Sequence, residues 1–235
     1  MKTLSIVVPC YNEEKTVEII LQKLLDVSLP VKKEIIIVDD CSQDKTLLLV
    51  HKFIKSHPKA YMKAYSHKKN RGKGAALHTG FIHATGDYTV IQDADLEYDP
   101  AEFTLLLKPL LDDVADVVYG SRFRGSYAHR ILFFWHTLGN KLLTFTSNIF
   151  TNLNLTDMET CYKMFKTDIL QSLTLTEKRF GFEPEVTAKI SRIKKIRLYE
   201  VGISYYGRTF EEGKKINWKD GVRALYVIIK YGIFK

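Results

Sequence analysis

Short apolar runs alternate with amphipathic stretches through the first half of the chain, and most of the runs end in a polar cluster. Residues 4–9 (LSIVVP), 34–38 (EIIIV) and 88–92 (YTVIQ) carry almost no polar alternation, as strands covered on both faces require. Residues 60–66 and 115–119 read as further strands. Between them, residues 13–27 place Val17, Ile20, Leu21, Leu24 and Leu25 on one helical face, with acidic residues in the first turn. Ser42 and Asp44 are capping candidates for a helix to residue 54, residues 74–84 read as a helix, and Pro100 opens another to about residue 111. This order predicts an α/β fold with a parallel sheet flanked by helices. Ligands of such sheets bind beyond the carboxyl ends of the strands. Asn12-Glu13, Asp39-Asp40, residues 93–97 and Ser121-Arg122 all fall there. The loop after the first strand is not GxGxxG, and GxxxxGK[ST] occurs nowhere, which argues against a dinucleotide-binding domain and a P-loop NTPase.

The pattern changes after Phe123. Residues 131–150 are rich in Leu, Phe and Trp and read as one or two amphipathic helices. Phe133, Phe134, Trp135, Leu138 and Leu142 form a candidate interfacial apolar face beside Arg130 and Lys141. Residues 180–189 and 218–231 read as helices, and 197–206 as one or two strands. No repeat or linker divides the sequence, so one domain over 1–235 is expected. A hydrophobic content of 46% excludes disorder, and three widely spaced cysteines (Cys10, Cys41, Cys161) fit reduced thiols in the cytosol rather than a disulfide framework. The net charge of +8 is concentrated late: residues 179–235 hold 13 basic and 6 acidic residues. Such a block suits phosphates or an anionic membrane surface. No leader and no transmembrane helix is expected, since only Lys2 precedes the first apolar run and no apolar stretch reaches 18 residues.

Three clusters carry chemistry. Asp93 and Asp95 follow a buried strand two residues apart, and Glu97 continues the spacing. Hard oxygen ligands of this kind hold Mg²⁺ or Mn²⁺, which in turn bridge substrate phosphates. Asp39 and Asp40 end a strand together; a carboxylate there can accept from a nucleobase N–H or a ribose hydroxyl, or cap a helix. NRGKG (70–74) sets two glycines and two cations before a helix, as a phosphate site or a capped turn requires.

Taken together, SIVVPCYNEE (5–14), VDDCSQDKT (38–46), NRGKG, QDADLEYDP (92–100) and GSRF (120–123) resemble the family 2 inverting glycosyltransferases, in particular the dolichyl- and polyprenyl-phosphate mannose and glucose synthases. TDMETCYKMF (156–165), FGFEPE (180–185) and YYGRTFEEGKK (205–215) are similar to the bacterial members of that group. The resemblance implies a GT-A fold, Rossmann-like and mostly parallel, with residues 1–122 as the nucleotide-sugar-binding half and 123–235 as the acceptor-side half. It implies a nucleotide-sugar donor, a polyprenyl phosphate acceptor, Mg²⁺ or Mn²⁺, and peripheral contact with the membrane from the cytoplasm. By the same resemblance Pro9, Tyr11, Asn12 and Glu13 line the nucleoside pocket, Asp39 meets the base, Lys73 lies in the phosphate-binding block, and Asp93, Asp95 and Glu97 hold the metal. Arg122, beside Ser121, binds the acceptor phosphate, Arg130 and Arg208 assist with phosphates, and Asp157 and Lys163 form an acceptor-side wall. Cys161 departs from the family, which often has Gly there.

The implied reaction is attack of a lipid monophosphate oxygen on the anomeric carbon. A phosphate monoester has a second pKa near about 6, so it is largely dianionic at neutral pH and needs little help from a base. No Ser/His/Asp arrangement is therefore expected. A transferase with a non-lipid sugar acceptor shares the donor site and is the alternative. A nucleic-acid-binding protein fits poorly, because the acidic clusters would repel a polyphosphate.

Overall fold

The computed structural model describes residues 1–125, 130–131, 134–208 and 218–233. Four strands run parallel: β1 (Thr3–Cys10), β2 (Lys32–Asp39), β3 (Met62–Ser66) and β4 (Tyr88–Ile91). β5 (Val117–Ser121) does not lie beside β4. A strand not expected from the sequence, β6 (Lys163–Lys166), is inserted between them and runs antiparallel to both. β7 (Leu198–Gly202) closes that edge, parallel to β5. The sheet order is β3-β2-β1-β4-β6-β5-β7. The expected parallel sheet is thus mostly parallel, and β6 ties the second half of the chain into its middle.

Helices α1 (Val17–Asp26), α2 (Thr46–Ser56), α3 (Lys73–His83), α4 (Phe103–Leu111), α5 (Phe134–Thr151), α6 (Thr167–Ser172), α7 (Phe182–Ile190) and α8 (Trp218–Ile233) connect or flank the strands. A 3₁₀ turn, Pro100–Glu102, opens α4, and the Asp99 carboxylate caps it through Ala101 N at 3.2 Å. β1 explains its own unbroken apolar run. Leu4, Ile6 and Val8 enter one core with α1 and α4, whereas Val7 enters the other with Leu77, Phe81, Phe182 and Val186. Each such aliphatic side chain, fully withdrawn from water, contributes about 1.5–3 kcal/mol.

Two glycines fix how α3 begins. Gly72 has φ +92°, and a Cβ there would lie 2.4 Å from Lys178 O. A Cβ on Gly74 would meet Glu177 O at the same distance. The start of α3 therefore packs directly on the 177–179 backbone, and Ala75 N donates to Lys178 O at 3.1 Å.

α5 has its faces reversed relative to an ordinary surface helix. Thr144 and Ser147 are its buried residues, while Phe134, Trp135, Leu138, Leu142, Phe145 and Ile149 are exposed. Of the expected interfacial face, Phe133 lies outside the described residues, as do residues 209–215 of the last motif.

Candidate active site

The strand ends on one edge of the sheet gather the acidic clusters. After β1 the chain turns at Asn12 (φ 51°), whose Oδ1 accepts from Gln43 N at 2.8 Å and whose N–H donates to Ser42 Oγ at 3.0 Å. Asn is among the few residues that tolerate this left-handed conformation. The turn locks the Pro9–Glu13 segment to the loop after β2. Asp39 and Asp40, adjacent in sequence, do different work. The Asp40 carboxylate accepts from Arg71 N and Gly72 N, the latter at 2.6 Å, and faces His67 Nδ1 at 2.6 Å. Two of the backbone donors of NRGKG, at Arg71 and Gly72, are thus met by an anion from within the chain. Asp39 Oδ2 accepts from Ser42 N at 3.1 Å, but its buried Oδ1 has no hydrogen-bond partner. A buried acceptor without a donor is costly, and a base N–H or ribose hydroxyl would satisfy it.

After β4 the loop presents Asp93 and Asp95. Lys73 Nζ lies 2.9 Å from Asp93 Oδ2, 2.9 Å from Cys161 Sγ and 3.5 Å from Glu183 Oε1. Burial works against the Lys73 charge, but Asp93, Cys161 and Glu183 hold its pKa well above the ordinary value. Arg208 spans Asp95 (3.2 Å), Glu13 (3.4 Å) and Glu97 (3.8 Å). Burial, then Asp93 and Glu97, push the Asp95 carboxyl up to about 7 against the pull of Arg208. A half-buried carboxylate crowded by two others is short of positive charge, and hard oxygen donors suit Mg²⁺ or Mn²⁺. Asp93 and Asp95 fit such an ion. Glu97, expected as a third ligand, is engaged elsewhere: its oxygens accept from Tyr205 Oη at 2.9 Å and Arg208 N at 2.7 Å. No group of three His, Cys, Asp or Glu side chains placed to hold a metal occurs among the described residues.

Beyond β5, Arg122 is held rather than loose. Its Nε and Nη2 donate to Asp157 Oδ2 and Oδ1, both at 2.7 Å, and its backbone N–H donates to Oδ2 at 3.0 Å. Asp157 is fully buried. The bidentate geometry expected toward a phosphate is thus spent on Asp157, which leaves three of the five guanidinium N–H donors untaken by it. Burial opposes the Arg122 charge and Asp157 outweighs it, so its pKa stays well above the ordinary value. The guanidinium lies over the Tyr205 ring at 5.1 Å. Ser121 braces the turn: its Oγ meets Thr156 Oγ1 at 2.6 Å and accepts from Phe123 N at 3.1 Å.

Two residues expected as substrate contacts make contacts within the chain. Lys163 is fully buried beneath the 156–160 loop, donating to Met158 O (2.9 Å) and Thr160 O with its Nζ over the Tyr119 ring, and burial lowers its pKa. Arg130 joins the 205–207 segment, its backbone N–H donating to Tyr205 O (2.9 Å) and its Nη1 to Gly207 O (3.0 Å).

Sequence reasoning assigned no role to Glu159, Glu183 or Tyr205, although the motifs containing all three were in view. Burial first, then Glu183, push the Glu159 carboxyl up to about 8, and Glu159 Oε1 and Glu183 Oε2 are buried without hydrogen-bond partners. Tyr205 is the hinge of the site. Its ring lies under Arg122 and its hydroxyl reaches Glu97, so a single side chain separates the acidic loop from the arginine.

The family model for glycosyl transferase family 2 matches residues 5–174. A dolichyl-phosphate beta-glucosyltransferase of Trichomonas vaginalis is 26% identical over 251 residues, covering 98% of this chain and 73% of that protein. An undecaprenyl-phosphate 4-deoxy-4-formamido-L-arabinose transferase of Pectobacterium carotovorum is 26% identical, with 91% of this chain and 63% of that protein covered. Among solved structures, the glucosyl-3-phosphoglycerate synthase of Mycobacterium tuberculosis with Mn²⁺, uridine diphosphate and phosphoglyceric acid matches at a TM-score of 0.74 and 18% identity, over 100% of this chain and 80% of that one. At that identity the likeness shows the fold alone, and that fold is GT-A.

Proposed function

The chain belongs to glycosyl transferase family 2, and from that premise we propose that this glycosyltransferase moves a hexose from a GDP-mannose- or UDP-glucose-type donor to polyprenyl or dolichyl phosphate, with inversion. The reading is carried by one observation: Tyr205 touches both the guanidinium of Arg122 and the carboxylate of Glu97, so a phosphate-binding cation and the Asp93–Asp95 pair lie one side chain apart. Two sugar-transferring relatives named for lipid-phosphate acceptors support the acceptor class.

In this reading Asp39 accepts from the base and the Pro9–Glu13 segment walls the nucleoside. Asp93 and Asp95 hold Mg²⁺ or Mn²⁺, which neutralises the diphosphate leaving group. The three Arg122 donors not taken by Asp157 orient the acceptor phosphate. One of its oxygens bonds to the anomeric carbon as the carbon–oxygen bond to the diphosphate breaks, and the electron pair departs with the nucleoside diphosphate. No proton need be removed from the nucleophile, so the site requires no base. Positioning two reactants this way is worth on the order of 7–11 kcal/mol. Residues 1–122 serve the donor and 123–235 the acceptor, in one domain. The three free cysteines suit a cytoplasmic, peripheral enzyme, and among the described residues no helix is long and apolar enough to cross a membrane.

The solved neighbour bound to phosphoglyceric acid favours a second reading, a soluble phosphate-bearing acceptor. Labelled nucleotide-sugars, Mn²⁺ and polyprenyl phosphate, followed by butanol extraction, separate the two. Label in the butanol phase supports the lipid acceptor. Label confined to a water-soluble glycoside refutes it.

A further inference from the structure

Residues 157–161 run between the two charged centres of the site. At one end Asp157 holds Arg122 Nε and Nη2, both at 2.7 Å. At the other, Cys161 Sγ lies 2.9 Å from Lys73 Nζ, which is also 2.9 Å from Asp93 Oδ2. Glu159 stands midway in the segment. Glu183, in the first turn of α7, joins it from a different part of the chain, with Oε1 3.5 Å from Lys73 Nζ. The two acids feel each other: burial, then the Glu183 charge, raise the pKa of Glu159.

Both carboxyls have an oxygen left over. Glu159 Oε1 and Glu183 Oε2 are buried and accept no hydrogen bond, and Glu183 is only 3% exposed. Such oxygens are costly to leave unpaired. Glu185, two residues on, shows what a supporting carboxylate looks like in this fold. It is buried too, but it accepts from Thr176 N, Glu177 N and Lys189 Nζ at 2.7–2.9 Å.

The surroundings of the pair select its occupant. A second dication has no seat, since no group of three His, Cys, Asp or Glu side chains placed to hold a metal occurs among the described residues. Ammonium groups are already supplied, by Lys73 at Glu183 and by Lys163, whose charge both acids feel. A phosphate would be repelled by the two carboxyls. A hydroxyl is neutral and brings a proton to donate to each open oxygen. Position agrees with this chemistry. An anomeric carbon passing from a diphosphate at Asp93 and Asp95 to a phosphate at Arg122 carries its ring over residues 157–161.

We propose that Glu159 and Glu183 accept hydrogen bonds from two hydroxyls of the donor sugar and thereby select it, favouring a neutral hexose that carries both hydroxyls over deoxy or blocked analogues. This role rests on the nucleotide-sugar donor proposed above and is independent of the acceptor. Lys73, which holds Glu183 in the empty site, would leave it for the diphosphate and open that carboxylate to the sugar.

The test is calorimetry of the full chain with Mn²⁺, titrating UDP-glucose against UDP and GDP-mannose against GDP. For the pair that binds, Glu159→Gln and Glu183→Gln should each weaken the nucleotide-sugar by about tenfold and change the nucleoside diphosphate by less than about threefold. A side chain that merely props the site would move both ligands alike, and that result, or no loss of either, overturns the assignment. On the wild-type chain, fluorine in place of single hexose hydroxyls, which accepts but cannot donate, should cost about tenfold at one or two positions. The same fluorine should cost the matching Gln variant little more. Should a variant fail to fold, the fluorinated donors decide alone, and tolerance of fluorine at every position overturns the role. A chain that binds no nucleotide with Mn²⁺ removes the donor reading and this role with it. Selective loss of sugar affinity, with label appearing only in a water-soluble glycoside, keeps the two carboxyls and removes the lipid acceptor. Butanol-soluble product from variants of unchanged sugar affinity does the reverse.

Discussion

Asp157→Asn removes the anion that holds Arg122. The wild-type carboxylate accepts three hydrogen bonds from that one residue, at 2.7, 2.7 and 3.0 Å. Asp157 is wholly buried and the Arg122 side chain only 15% exposed, so little water is available to take over. Breaking a buried pair by neutralising one member leaves an uncompensated charge, at a cost of about 3–5 kcal/mol. In a chain of this size each kcal/mol moves the melting temperature by about 2–4 °C, so a fall of roughly 6–20 °C is expected in a circular-dichroism melt. Replacing both members by apolar groups, Arg122→Met with Asp157→Leu, should recover most of that loss, because a buried ion pair is worth little more than well-packed hydrocarbon. The recovered protein should still fail to transfer sugar to the phosphate acceptor. The reasoning fails if Asp157→Asn costs less than about 1 kcal/mol, or if the double variant is active. The first result would mean that Asp157 does not secure Arg122; the second, that Arg122 does not hold the acceptor.

Four further outcomes follow from the site. Asp39→Asn should weaken nucleotide binding by about tenfold to a hundredfold in calorimetry, the equivalent of one charge-assisted hydrogen bond of about 1.5–3 kcal/mol. Asp95→Ala should abolish turnover and the Mn²⁺-induced rise in melting temperature while the far-ultraviolet spectrum is kept. Arg208→Ala should raise the affinity for Mn²⁺ alone by about threefold to tenfold, since Asp95 and Glu97 lose a competing cation, yet lower donor affinity; a change of the same sign in both would refute the exchange. Glu159 gives a pH dependence. Its folded carboxyl titrates near 8 against an ordinary 4.5, so stability is fully present below about pH 4.5 and declines as pH rises toward 8. Metal-free melts should show that decline, and Glu159→Gln should flatten it.

The acidic strand ends were legible because their signals are local. A strand that ends in Asp39-Asp40 or Asp93-Ala94-Asp95 announces an acidic strand end whatever the rest of the chain does. What each carboxylate does there was not legible, because that is decided by residues far along the chain. Asp40 is claimed by the backbone of Arg71 and Gly72, some thirty positions away. Glu97 is claimed by Tyr205 and Arg208, more than a hundred positions away, which removed it from the metal set. β6 escaped for the same reason. KMFK has no alternation of its own and becomes a strand because β4 and β5 leave a place for it. Burial there carries Lys163 inward, where two backbone carbonyls and the Tyr119 ring satisfy it.

On the proposed reading, the ion pairs of the site bear on how one pocket would take both a dication and a polyanion. Asp93 is held by Lys73, Asp95 by Arg208, and Asp157 by Arg122. A dication arriving alone must compete with Lys73 and Arg208, while a nucleotide-sugar arriving alone brings two negative charges toward Asp93, Asp95 and Glu97. Together the two are neutral, so their joint binding would leave the net charge of the pocket unchanged: Asp93 and Asp95 would hold the metal in place of Lys73 and Arg208, and those cations would be available to the diphosphate. A site that swaps partners in this way avoids the desolvation cost of adding uncompensated charge to a half-buried cleft. It would also couple metal to donor, because each would remove the obstacle the other faces.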